Sequence, residues 1–228
     1  MISIIAIILL NIFALLTIVL RPKIFGTKLF KPMIWNFKLS ILPIFMLLGN
    51  FTIFILIRYI SAITEIEIIG YIAIVFAFLG ILLWILMLPN SGYLITELNL
   101  THRDEDEVEV PIWYDIISIL SFALSGVLNT ILNIKLIQGI IYIIILDPDA
   151  ITLKHTANMY LSAFIIIVLV SVGVYFGRYI RFNSWDVINP KKFIMKLKKH
   201  FSQEGKTIEF LYFIVFHSCF FMIIYALI

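Results

Sequence analysis

Three short stretches mix carboxylate, guanidinium, amide and aromatic side chains in a chain that is 62% apolar and only 14% charged. They are Pro89-Asn90-Ser91-Gly92-Tyr93-Leu94-Ile95-Thr96-Glu97-Leu98, Trp113-Tyr114-Asp115, and Gly177-Arg178-Tyr179-Ile180-Arg181-Phe182-Asn183-Ser184-Trp185-Asp186. A guanidinium fork grips a carboxylate or a phosphate through paired N–H donors. Arg178 and Arg181 stand three apart, which on a helix projects both from one side, toward Glu97, Asp115 and Asp186. Tyr93 and Glu97, four apart, share a face if the chain turns helical after Pro89-Asn90-Ser91-Gly92, a turn signal. The candidate ligand-binding set is therefore Asn90, Tyr93, Glu97, Trp113, Asp115, Arg178, Arg181, Asn183, Trp185 and Asp186. Each also has a plain structural role open to it. Arginines snorkel to anchor a helix end, and Asp115 sits favourably at a helix N-terminus.

Other groups offer less. His102-Arg103-Asp104-Glu105-Asp106-Glu107 is a crowd of hydrated loop charges, and no metal site is expected. His217 and Cys219 are two apart and so do not share a helical face; a buried histidine bonded to a neighbour is expected. Cys219 is the sole cysteine, which excludes an internal disulfide and points to a packing role in its apolar span. HExxH, GxxxxGK[ST] and GxSxG are absent, which counts against common hydrolases and ATPases, and no cofactor is implied.

The elements that must position these groups come in blocks. Six uncharged windows of about 19–22 residues each match the ~30 Å hydrocarbon thickness at ~1.5 Å per residue. They are Met1–Leu20, Leu39–Ile57, Ile68–Leu88, Ile116–Ile134, Thr156–Gly177 and Phe210–Ile228. Of 17 Lys and Arg, only Arg58, Lys135 and Lys154 lie outside the first, third and fifth loops. Such asymmetry places those loops in the cytoplasm and both termini outside. The fold class is all-α: one six-helix integral membrane domain spanning residues 1–228. The first window is a retained helix rather than a signal peptide, because its charges (Arg21, Lys23) follow it.

Finer features follow. Trp35, Trp84, Trp113 and Trp185 all lie toward the basic loops, and Trp35 and Trp84 are expected in an interfacial belt. Ile112–Leu146 is almost wholly apolar, so the fourth helix extends to 146 and the fifth starts at 148, with Asp147 capping. A short interfacial helix over Gln138–Leu146 is the alternative. Small residues (Gly70, Ala73, Ala77, Gly80; Ser121, Ser125, Gly126; Gly173, Gly177) mark spans three to five as the central bundle. Phe193, Ile194, Leu197 and Phe201 share one arc among lysines, which predicts an amphipathic interfacial helix near 190–204.

The three polar stretches resemble a family of uncharacterised bacterial polytopic membrane proteins, a domain of unknown function. The shared patterns are PNxxYxxTEL, WYD and GRxxRxNSWD, within about Trp84–Pro190. Where the family pattern carries proline before the tyrosine, this chain has Gly92. The resemblance implies a membrane topology and brings no activity. Lysines outnumber arginines 12 to 5, and isoleucine is abundant, the usage of an AT-rich bacterial genome. A multi-pass protein of the bacterial cytoplasmic membrane is expected. Its partners are anionic lipids, attracted by the basic loops, and a membrane protein; nucleic acid is not among them. Three functions compete. The first is a non-enzymatic accessory or binding subunit whose cytoplasmic polar site takes a lipid headgroup or protein partner. The second is a small-solute carrier or channel lined by Asn129, Asn133, Lys135 and Gln138. The third is an enzyme on a lipid-linked or phosphorylated substrate.

Overall fold

A computed structural model describes residues 4–98, 110–145, 153–182 and 189–228. Among the described residues six stretches are long and apolar enough to cross a membrane: Ile4–Phe25, Lys31–Thr64, Glu67–Glu97, Ile112–Ile141, Thr156–Ile180 and Lys206–Leu227. Helices satisfy every backbone group within one segment, which hydrocarbon demands. In order the elements are α1 (Ile4–Phe25), α2 (Lys31–Thr64), α3 (Glu67–Met87), α4 (Pro89–Tyr93) and a 3-10 turn (Leu94–Glu97). Then come α5 (Ile112–Ile145), α6 (Leu153–Tyr175) with a π turn (Phe176–Ile180), α7 (Pro190–Phe201) and α8 (Lys206–Leu227). As expected, α5 runs unbroken to residue 145; Asp147-Pro148-Asp149 and the acidic run His102–Glu107 lie outside the described residues.

The core helix is α5. Two thirds of its span (67%) is buried, against 17–33% for the others. Lipid supplies no hydrophobic drive for helix pairing, so polar side chains act as ties. Three amides on α5 bind all five other spans. Asn129 exchanges bonds with Asn11 of α1 (2.8 and 2.9 Å) and donates to Ser40 Oγ of α2 (3.1 Å). Asn133 accepts from Trp84 Nε1 of α3 at 2.9 Å. Gln138 donates to Met159 O and Ser162 Oγ of α6 and accepts from Tyr225 of α8. The expected belt position of Trp84 is thereby corrected: only 1% of it is exposed, because its indole N–H has a partner deep in the bundle.

The expectation of a central bundle from spans three to five is also corrected. Along α3 the small residues serve α2, not the centre. Gly70 lies under the Arg58 guanidinium, and Gly80 lies against the Asn50 amide, which donates to Ala77 O at 3.1 Å. Elsewhere α3 faces outward, with Tyr71 and Phe78 exposed, until Trp84 near its end turns into the bundle. Its continuation enters the middle. After Leu88 the third span breaks at Pro89, and α4 with its 3-10 turn packs among α2, α5 and α6. Ser91 Oγ donates to Ser40 O at 2.6 Å, and Leu88 and Leu94 are fully buried. Gly126 of α5 and Gly173 of α6 make the room. A Cβ on Gly126 would stand 2.6 Å from Ser91 O and Leu94 Cβ, and one on Gly173 would strike the Pro89 ring.

α7 docks through rings onto the π turn and the residues that leave it. Phe193 stacks on Phe182 (centroids 4.5 Å apart), and the His200 Nε2 and Tyr175 hydroxyl are 2.9 Å apart. Ile194 and Met195 remain exposed beside Lys191, Lys192, Lys198 and Lys199, so the helix keeps the two-sided character its sequence predicts. Cys219 is exposed on α8 rather than packed inside, which corrects its expected role, since the same helix turns His217 inward.

Candidate functional site

Two arginine–carboxylate pairs stand at the end of the bundle that carries the basic loops. The first joins the last turn of α1 to the first turn of α5. Arg21 Nε donates to Asp115 Oδ1 at 2.8 Å, and Nη2 reaches Oδ2 at 3.4 Å. Side-chain exposure is 8% for Arg21 and 0% for Asp115. Beside them Tyr114 donates its hydroxyl to Thr17 O (2.7 Å) and Ser118 donates to Thr17 Oγ1 (3.0 Å). Asp115 therefore does not meet Arg178 or Arg181, contrary to the sequence expectation; α1, which lies along α5, reaches it first.

The second pair ties the 3-10 turn to the π turn. Arg178 Nη1 faces Glu97 Oε1 at 3.4 Å and the Tyr93 hydroxyl at 3.5 Å. Its side chains are 29% and 13% exposed. Tyr93 and Glu97 do share a face, because the segment is helical through both. Gly177 lies beside the Tyr93 ring, where a Cβ would stand at an ordinary contact distance of 3.7 Å. Both contacts use Nη1. Of the five guanidinium N–H donors, those on Nε and Nη2 have no partner among the described residues. A π turn inserted at a helix end is a frequent companion of functional sites.

Arg181 departs from expectation. The π turn ends α6 at Ile180, and Arg181 follows in the left-handed region (φ 56°), exposed. The two arginines therefore do not continue one helical face. Asn90 donates to Met87 O at 2.9 Å and is half-buried, a local helix bond rather than a reach toward Arg178. Trp113 is 61% exposed, its ring edge against Tyr114. Asn183, Trp185 and Asp186 lie outside the described residues. The third and first polar stretches are thus brought together at Arg178, Tyr93 and Glu97, while the second is spent on α1.

Sequence reasoning missed Arg21 and Asn11. Their signal was a stripe: Asn11, Ala14, Ile18 and Arg21 recur at i, i+3, i+7 and i+10, one face of α1. It also left unpaired a small cluster in which Ser171 Oγ lies 2.9 Å from both His217 Nδ1 and Ser218 Oγ. His217 stacks between Phe213 and Phe221 there, as a bonded, buried ring. A family model described as a protein of unknown function (DUF1361) matches residues 35–224. No curated protein and no solved structure matches the chain.

Proposed function

We propose, for a chain that belongs to the DUF1361 family of unknown function, a non-enzymatic binding role: it holds the phosphate of an anionic lipid headgroup at its basic end. One observation carries this. Among the described residues, three of the N–H donors of Arg178 have no partner, on a partly exposed guanidinium oriented by Glu97 and Tyr93 at the end of a membrane span. Arginine binds phosphate through such paired donors. Docked against the same π turn, α7 adds Lys191, Lys192, Lys198 and Lys199 around exposed Ile194 and Met195, the make-up of a helix at headgroup level. Each lysine near an anionic leaflet contributes about 1 kcal/mol. Under the positive-inside rule this end faces the cytoplasm of a bacterial cell.

A carrier role gets less support, since the amides of Asn129, Asn133 and Gln138 are bonded to neighbouring helices, Asn133 also to its own backbone. An enzymatic role with Asp115 as base also gets less, because that carboxylate is buried against Arg21. The test is native mass spectrometry of protein released from nanodiscs of equal phosphatidylglycerol and phosphatidylcholine. Retained phosphatidylglycerol is expected in the wild type and reduced several-fold in Arg178→Gln. Equal retention of the two lipids, or an unchanged preference in Arg178→Gln, would remove the proposed site.

A further inference from the structure

The Arg178–Glu97 pair is open on both partners, and the open atoms have opposite roles. On the arginine, Nη1 serves Glu97 Oε1 and the Tyr93 hydroxyl. The Nε–Nη2 edge, the side-on fork of the guanidinium, has no partner among the described residues. On the glutamate, Oε1 takes the contact, and Oε2 has no partner among the described residues. Nor is Oε2 sealed. Among the described residues, the buried side-chain atoms that lack a partner are Asn50 Oδ1 and His217 Nε2, so Oε2 is open to the outside. Glu97 closes the third span (Glu67–Glu97), and Arg178 stands in the last turn of the fifth (Thr156–Ile180). An open donor edge and an open acceptor therefore sit side by side at headgroup level.

That combination is more selective than an arginine alone. A lone guanidinium takes any phosphate. Here a phosphate on the Nε–Nη2 edge lies across one planar group from the Glu97 carboxylate, and both anions only accept hydrogen bonds. The lipid itself must then supply the hydrogen for Oε2. A methyl ester of the phosphate has none, and choline carries its charge without an N–H. A glycerol hydroxyl or an ethanolamine ammonium does have one, on the second carbon beyond the phosphate ester. A hydrogen bond to a charged acceptor is roughly twice as strong as one between neutral groups. The same donor turns the opposition of the two anions into a bridge between them.

We infer that Glu97 is a specificity-determining residue: the site takes a headgroup whose phosphate bears an O–H or N–H donor, which rests on Glu97 Oε2. This rests on the headgroup reading of Arg178 and adds the half of the ligand that lies beyond the phosphate. The lysines of α7, docked on the same π turn, favour the glycerol form, which keeps a net negative charge, over the ethanolamine form.

Matched lipid pairs test it. Full-length protein is released from nanodiscs, and native mass spectrometry counts the lipids retained. One set sets phosphatidylglycerol against phosphatidylmethanol, two anionic phosphodiesters that differ in the hydroxyls. A second sets phosphatidylethanolamine against phosphatidylcholine, two zwitterions that differ in the N–H donors. The wild type is expected to favour the donor-bearing lipid at least about threefold in both sets, and a third set of phosphatidylglycerol against phosphatidylethanolamine ranks the two donors. In Glu97→Ala both ratios should fall to about one. In Glu97→Gln, whose amide oxygen still accepts without charge, they should be intermediate. Tyr93→Phe loosens Arg178 but leaves Oε2 in place, so total retention should drop while the ratios stand. Ratios near one in the wild type would overturn the assignment. So would ratios that survive Glu97→Ala, because a merely structural glutamate lowers all lipids alike. Failure of the headgroup reading looks different: phosphatidylmethanol is then kept no better than phosphatidylcholine, and Arg178→Gln changes neither.

Discussion

Arg21–Asp115 and Arg178–Glu97 put the same two functional groups at the same end of one bundle, and their surroundings give them different work. In the first pair the fork meets both carboxylate oxygens, the shorter contact is 2.8 Å, and both side chains are nearly sealed. In the second a single nitrogen makes both contacts at 3.4 and 3.5 Å, with the arginine 29% exposed. The first joins two regular helix ends that are also tied by Tyr114 and Ser118. The second joins a 3-10 turn to a π turn, where the membrane helices lose α-helical regularity. Tight and dry suits a clamp; loose and half-wet suits a site that exchanges partners with something outside.

The largest effect should come from breaking the sealed pair. Asp115→Asn removes the carboxylate that faces the buried Arg21 guanidinium, and breaking a buried pair in this way costs about 3–5 kcal/mol. The unfolding midpoint of detergent-solubilised protein should fall accordingly, while Arg178→Gln shifts stability by less than about 1 kcal/mol. Replacing both partners sharpens the contrast: Arg21→Met with Asp115→Leu should recover most of the loss, since apolar pairs of similar volume often match a buried ion pair. Next comes the broken span. Gly173→Leu drives a side chain into Pro89 and should cost about 1–3 kcal/mol in the same unfolding measurement. It should also lower phosphatidylglycerol retention, because α4 and the turn that bears Glu97 must shift. Asn129→Ala removes its bonds to Asn11 and Ser40 at ~0.6 kcal/mol each, without altering which lipid is retained. Smallest is His200→Ala, which loosens α7 by about 1 kcal/mol and should appear as faster amide hydrogen exchange confined to 190–201.

What could be read from residues alone was set by how local each signal is. Span number and the amphipathic helix come from composition within about 20 residues, and they match the helices observed. The meeting of Tyr93 and Glu97 follows from four-residue spacing once the segment is helical, and the meeting of Glu97 with Arg178 from charge at one depth. Asp115 was different. Its choice between Arg178 and Arg21 depends on which helix lies beside α5, and no residue near Asp115 encodes that neighbour. Trp84 failed for the same reason: its partner Asn133 is 49 positions away, so a preference averaged over membrane proteins stood in for a contact it could not see. Arg181 failed on backbone grounds, since a π turn and a left-handed residue interrupt the helical count that spacing assumes.

Thermal stability in two lipid backgrounds separates the two pairs most directly. Wild type, Arg178→Gln and Asp115→Asn are each unfolded in nanodiscs of phosphatidylcholine alone and of phosphatidylcholine with phosphatidylglycerol. Phosphatidylglycerol should raise the midpoint of the wild type and of Asp115→Asn by the same increment, although the latter starts several degrees lower; Arg178→Gln should start near the wild type and lose most of the increment. An Arg178→Gln protein that keeps the full increment, or that starts as low as Asp115→Asn, would contradict the division of labour between a clamp and an open site.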